Sequence, residues 1–93
     1  MGLFYVIMQF VVYILYSKLI DQYYIGHTQD IRDRLIRHNN SGSKATKKAN
    51  DWTLAHSESF PDKASAYKRE METKKKKSKK YIESLIKKIE RPE

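Results

Sequence analysis

The chain has 93 residues, of which 40% are hydrophobic and 12% aromatic, with three glycines and two prolines; that composition excludes a disordered tail and leaves room for a single core. Nineteen Lys and Arg against eleven Asp and Glu give a formal charge of +8, so the expected partner is a polyanion, nucleic acid ahead of a membrane surface. The absence of cysteine excludes a disulfide scaffold, a cysteine-ligated zinc site and thiol catalysis, and makes a reducing cytoplasm the expected location.

The run MGLFYVIMQFVVYILYS carries no charge before Lys18. It falls short of the about 20 apolar residues that span a bilayer, and lacks the basic leader and small-residue cleavage site of a signal peptide. Val6 stands where a myristoylation site needs Ser or Thr. Its richness in Val, Ile, Tyr and Phe predicts a buried strand from about Tyr5 to Ser17 and no membrane anchor, with Met8 an equally good start of the domain and residues 1–7 an extension. A second strand, Tyr23 to Thr28, follows the hairpin-length Lys18–Gln22 loop and is expected to pair antiparallel.

Thr28 is the expected cap of a helix starting near Gln29, with Asp30 in its first turn and an end at Asn39-Asn40-Ser41-Gly42. Lys44–Asp51 reads as a basic connection. From Trp52 the residues Trp52, Leu54, His56, Glu58 and Phe60 alternate with Thr53, Ala55, Ser57 and Ser59, the period of a third strand, which Pro61 stops. Asp62 caps a second helix with an apolar stripe of Ala64, Tyr67 and Met71, and Ser78 a third bearing Ile82, Leu85, Ile86 and Ile89. The order strand, strand, helix, strand, helix, helix describes one α+β domain over residues 1–93, core about 8–90; so few strands cannot close a barrel, so helices must cover the sheet.

Strand alternation places Tyr13 on one face with Val11 and Leu15, and Tyr24 with Gly26, where a missing side chain lets something approach the backbone. On the first helix Ile31 and Leu35 mark the buried stripe, and Arg34 falls roughly 60° to one side. Glu70 stands in the same relation to Tyr67 and Met71 on the second helix. Opposite charges at the rims of two helices on one sheet can converge.

These residues carry a family resemblance. Val12-Tyr13-Ile14-Leu15, then Tyr24-Ile25-Gly26, Gly26-His27-Thr28, Asp30-Ile31-Arg32-Asp33-Arg34-Leu35 with His38-Asn39, Trp52-Thr53-Leu54 and Ala66-Tyr67-Lys68-Arg69-Glu70 together resemble the GIY-YIG nuclease superfamily, in its small single-domain branch, from about Val12 to Ile86. A lone YIG is a weak signal; the ordered set, with Arg34 eight residues after Gly26, is a strong one. The resemblance implies a three-stranded antiparallel sheet flanked by helices and a DNA endonuclease that uses one Mg²⁺ or Mn²⁺ ion, acting on structured or damaged DNA in repair or recombination. Residue by residue it implies Tyr13 and Tyr24 as the active-site tyrosines, Arg34 as the phosphate-binding arginine and Glu70 as the metal ligand. The chain departs from the first signature, with Val11 for its glycine and Val12 for its isoleucine, and Ser78-Lys79-Lys80-Tyr81 lacks the asparagine some members carry.

The chemistry fits these residue types. Mg²⁺ accepts one or two carboxylates and keeps several waters, so Glu70 with a substrate phosphate suffices to hold it. Arg34 offers planar bidentate donors to the same phosphate and keeps its charge. A tyrosine, with a pKa of about 10, must lie near a cation to act as a base. On this reading Gly26 leaves room for the DNA backbone. Each assignment has a rival: Tyr13 and Tyr24 as strand aromatics, and Arg34 with Asp30 or Glu70 with Lys74 as helix surface pairs. His38 is read as structural and His27 as a phosphate or proton-transfer contact. Lys44, Lys47, Lys48, Lys74, Lys75, Lys76, Lys77, Lys79 and Lys80 read as a solvated face that can also track phosphates. The alternative function is a non-catalytic, basic nucleic-acid-binding module that keeps the nuclease fold.

Overall fold

In a computed structural model the backbone is described for residues 9–40, 44–76 and 78–90, and side chains as far as Lys87. The strand expected before residue 9, Met8 as a start, the helix end at Ser41-Gly42, Lys77 and the side chain of Ile89 lie outside the described residues. The elements are β1 (Phe10–Ser17), β2 (Gln22–Thr28), α1 (Ile31–Asn39), β3 (Thr53–Phe60), α2 (Lys63–Lys76) and α3 (Lys79–Glu90). The sheet is antiparallel throughout with order β2-β1-β3, an α+β fold with the first strand in the middle.

That central place explains why β1 is apolar on both faces. Val12 and Ile14 meet Ile25, Ala66 and Ile82 on the side that α2 and α3 cover. Tyr13 and Leu15 meet Ala49 and Trp52 on the other side, where Ile31 and Leu35 of α1 close over them. A strand with only one buried face would show polar residues at alternate positions. Among the described residues no helix is long and apolar enough to cross a membrane.

The β1–β2 turn puts Asp21 at φ 50°, a left-handed conformation that Asp tolerates better than most residues. Tyr16 Oη donates to its Oδ1 at 2.7 Å and Lys79 Nζ to its Oδ2 at 2.7 Å, so the start of α3 helps hold the hairpin. The α1 cap is Asp30, two residues later than the expected Thr28: its Oδ1 accepts from Asp33 N at 3.0 Å. Thr28 Oγ1 instead accepts from Asp30 N at 3.1 Å and fixes the capping residue. Asp62 and Ser78 cap α2 and α3 as expected, accepting from Ser65 N at 2.7 Å and Tyr81 N at 3.1 Å.

Two faces differ from the sequence pattern. In β3, Ile14 pairs with His56 but Leu15 with Leu54, so Ala55 is an extra residue in a bulge. One inserted residue inverts the alternation beyond it. Leu54 therefore leaves the His56 face and is 43% exposed. On α2 the buried residues are Ala66, Glu70 and Thr73, and Ala64, Tyr67 and Met71 do not form the buried stripe; Tyr67 is 53% exposed. The helix is rotated because its polar side chains find partners inward. Arg69 donates through Nε and Nη2 to both oxygens of Glu58 on β3 (2.8 and 3.1 Å) and through Nη1 to Tyr81 Oη on α3 (3.2 Å). His56 Nε2 reaches Glu58 Oε2 at 2.8 Å.

Candidate active site

Gly26 lies directly opposite Tyr13 in the β1–β2 ladder. A Cβ on Gly26 would stand 2.6 Å from Tyr13 Oη, 2.8 Å from its Cζ and 3.2 Å from Tyr24 Cε2. The glycine thus makes room for the two tyrosine rings, not for a DNA backbone. Tyr13 is 1% exposed and cannot swing aside. Gly26→Ala is therefore expected to destabilise the fold by about 1–3 kcal/mol through overpacking, which lowers Tm by about 4–8 °C per kcal/mol in a domain of this size. A thermal melt at the parental temperature would contradict this.

The Tyr13 ring centroid lies 6.3 Å from that of Tyr24 and 5.8 Å from that of His38, and Tyr24 and His38 are 4.7 Å apart. Tyr13 Oη and His38 Nε2 are hydrogen-bonded at 2.8 Å, and His38 Nδ1 and Thr46 Oγ1 at 2.9 Å. His38 is buried, and burial, then the charges of Arg34 and Arg37, push its pKa below the usual 6.5. It is neutral at pH 7 and has one donor and one acceptor nitrogen, so both bonds run in the same direction, from Tyr13 to Thr46 or back. Burial, then the nearby Tyr24, pushes the Tyr13 phenol up, Arg34 pulls it back only in part, and Glu70 adds to the rise. Arg34 is near, as a tyrosine base requires, but the chain by itself keeps Tyr13 as a phenol. His38, read from the sequence as structural, is its hydrogen-bond partner.

A neutral buried histidine stabilises the fold above its unfolded pKa, and that contribution is lost as pH falls from about 6.5 toward the depressed folded value, because the unfolded chain takes up the proton first. Parental stability is expected to decline through this window more steeply than that of His38→Gln, measured by denaturant unfolding at several pH values. Parallel curves would remove His38 from this role.

Arg34 sits on the inward side of α1, one turn before His38. Its Nε is buried without a hydrogen-bond partner among the described residues. The surface pair with Asp30 is not how its side chain is used: Asp30 caps the helix and accepts from Asp33 N.

β2 sends alternate side chains to the two sides of the sheet. Tyr24 and Gly26 point toward α1, and His27 points toward α2, where Nδ1 meets Glu70 Oε1. Lys74 Nζ lies 2.6 Å from the other oxygen, Oε2. Burial alone would raise the Glu70 pKa, but Lys74 and His27 outweigh it and hold the carboxyl below its usual range. Glu70 is thus an ionised carboxylate in the buried face of α2, with an 8% exposed side chain, and not the rim residue the stripe suggested. The i,i+4 pair with Lys74 does form, but around a buried charge.

Lys44, Lys47 and Lys48 lie exposed between α1 and β3, and Lys75, Lys76 and Lys80 near the α2–α3 junction, with Lys76 Nζ 5.3 Å from the Tyr81 ring centroid. Lys74 and Lys79 are paired to Glu70 and Asp21. An open groove of about 450 Å³ adjoins Tyr24 and Lys74 and runs toward Ser78 and Lys79.

A metal at this site would rest on Glu70. Among the described residues there is no group of three or more His, Cys, Asp or Glu side chains able to hold an ion. The donor still fits Mg²⁺, which takes one carboxylate and fills its shell with waters and substrate phosphate. Glu70 Oε2 already faces a cation, the Lys74 ammonium.

The chain matches the GIY-YIG catalytic domain over residues 9–82. It is similar to a UPF0213 protein of Halobacterium salinarum, 42% identical over 53 residues that make up 56% of this chain and 69% of that protein. A UPF0213 protein of Staphylococcus saprophyticus is 44% identical over 52 residues, covering 55% of this chain and 63% of the relative, just under two thirds of its length. In three dimensions the solution NMR structure of a UPF0213 protein from Bacillus halodurans superposes with a TM-score of 0.54 at 32% identity, covering 86% of this chain and 84% of the other.

Proposed function

This chain belongs to the GIY-YIG catalytic domain family, a family of nucleases, and from that premise we propose that it is a divalent-metal-dependent endonuclease hydrolysing DNA phosphodiesters at the β2 site. The observation that carries the proposal is a half-buried Arg34 with a buried, unbonded Nε and a Tyr13–His38 pair on the α1 side of β2, with an ionised Glu70 on the α2 side whose charge reaches the Tyr13 phenol.

In this reading Arg34 binds the scissile phosphate, using donors the protein leaves free, and its charge opposes the negative charge that grows on the phosphoryl oxygens. Glu70 holds Mg²⁺ or Mn²⁺; when bound, the ion supplies Lewis-acid stabilisation of the phosphoryl and leaving oxygens. Water attacks phosphorus and the bond to the leaving oxygen breaks. The water's proton passes to Tyr13 Oη as the Tyr13 proton passes to His38 Nε2. A phenol that receives one proton while giving up another never has to persist as the phenolate that burial disfavours. Tyr24, packed on His38, orients the pair, and His27 orients Glu70. The exposed lysines contact flanking phosphates without reading bases, which fits a structure- or damage-directed activity in repair or recombination.

A specific observation supports a second reading. Both oxygens of Glu70 are already bonded, to His27 and Lys74, and a chain that keeps those bonds on DNA binds without cutting. Incubation with branched, nicked and linear DNA, and with RNA, in Mg²⁺, Mn²⁺ or chelator separates the two. The nuclease reading expects cleavage that chelator abolishes; salt-sensitive binding with no cleavage under any ion establishes the binding module.

A further inference from the structure

Tyr67 is an aromatic side chain that neither the core nor the proposed chemistry uses. Rotation of α2 places it outside the buried stripe, 53% exposed, although its apolar ring would gain from burial. It stands one helical turn before Glu70, and its ring meets His27 edge-on, with centroids 6.2 Å apart and an interplanar angle of 83°. His27 in turn contacts Glu70. A T-shaped contact uses only part of an aromatic ring, so the half-exposed Tyr67 ring keeps open surface one helical turn before the carboxylate. Along the helix, Lys63 lies four residues before Tyr67, and Lys74, which is paired to Glu70, seven after it, so a lysine stands on either side of Tyr67 on roughly one stripe. An aromatic face bracketed by cations is the pattern that binds single-stranded nucleic acid, the base on the ring and phosphates on the lysines.

We propose that Tyr67 is a stacking platform for an unpaired nucleobase flanking the scissile phosphate, so that the site takes DNA with a single-stranded nucleotide at the cut. The proposal rests on the nuclease reading for the place of the cut, but not for the stacking itself. A base held in a duplex has both faces covered by its neighbours and offers none to Tyr67; an unpaired one does. The groove beyond Lys74 gives the continuing strand a path on the other side of Glu70.

The test uses the full chain, in chelator, with a forked DNA carrying a fluorescent purine analogue in an unpaired arm and with a fully paired duplex of the same sequence. Stacking quenches the analogue in the parent and in Tyr67→Phe, which keeps the ring, and not in Tyr67→Ala. Tyr67→Ala is expected to weaken fork binding on the order of 10-fold more than duplex binding. Equal losses on fork and duplex, no quenching in the parent, or no preference of the parent for the fork overturns the proposal. Adding Mn²⁺ then reads cleavage separately: quenching without cleavage of any DNA sinks the nuclease reading and leaves the stacking site standing. Circular dichroism checks that Tyr67→Ala is folded; if it is not, Tyr67→Leu, which keeps an apolar side chain but no ring, carries the test with the same expected losses.

Discussion

On the proposed mechanism Glu70→Ala is expected to lose DNA cleavage by on the order of 10³-fold or more, because the several kcal/mol a divalent ion would contribute to the transition state would depend on this carboxylate. Binding to DNA in chelator is expected to stay equal or tighten. The ionised carboxylate repels phosphate, and its removal also frees His27 and Lys74, which it now holds. Opposite movements of cleavage and affinity distinguish loss of a metal ligand from loss of the fold, which would reduce both. Glu70→Gln keeps the side chain's shape and removes its charge, so it should reproduce both effects if folding limits Glu70→Ala. Cleavage by gel assay and affinity by fluorescence anisotropy decide the matter; parental cutting by either variant overturns the metal assignment.

Arg34→Met is expected to lower turnover by on the order of 10² or more, with DNA binding weakened only modestly, since a phosphate donor of this kind acts chiefly in the transition state. The same substitution should leave thermal stability unchanged or raised. A buried donor without a partner costs about 1–3 kcal/mol, and Arg34 Nε is one. Methionine keeps the aliphatic stem packed and removes the donor. Arg34→Lys keeps the charge but not the planar fork, and should fall between the parent and Arg34→Met in turnover. A more stable, inactive protein marks a residue kept for its ligand; a marked drop in Tm with Arg34→Met would instead make Arg34 a support of the fold.

How much of this was legible in the sequence depends on the range of the interaction. Asp62 and Ser78 are readable because a cap bonds a backbone N–H three residues away, a relation that local spacing carries. Thr28 and Asp30 are harder to tell apart, since both bear a capping oxygen and differ by two positions. Tyr13, Tyr24, Arg34 and Glu70 are singled out by an ordered motif; Tyr13 and Tyr24 lie on the α1 side of the sheet and Glu70 on the α2 side, near enough that its charge raises the Tyr13 pKa. His38 stands one turn after Arg34, but nothing local announces that Tyr13, 25 residues earlier, is its partner. Thr46 sent no sequence signal at all.

Composition and periodicity by themselves determined the order of the elements, the antiparallel hairpin, the doubly apolar first strand and the basic charge, because each follows from local backbone preference or from a sum over side chains. Tertiary structure alone decided which face of α2, and of β3 before its bulge, is buried. A bulge at Ala55 inverted the end of β3, and α2 turned Glu70 inward and Tyr67 outward. The reason is that an apolar stripe predicts burial only where polar residues lack inward partners. Here Glu70 finds His27 43 residues away, and Arg69 finds Glu58, so charged side chains are satisfied inside and the rotation they impose cannot be read from spacing.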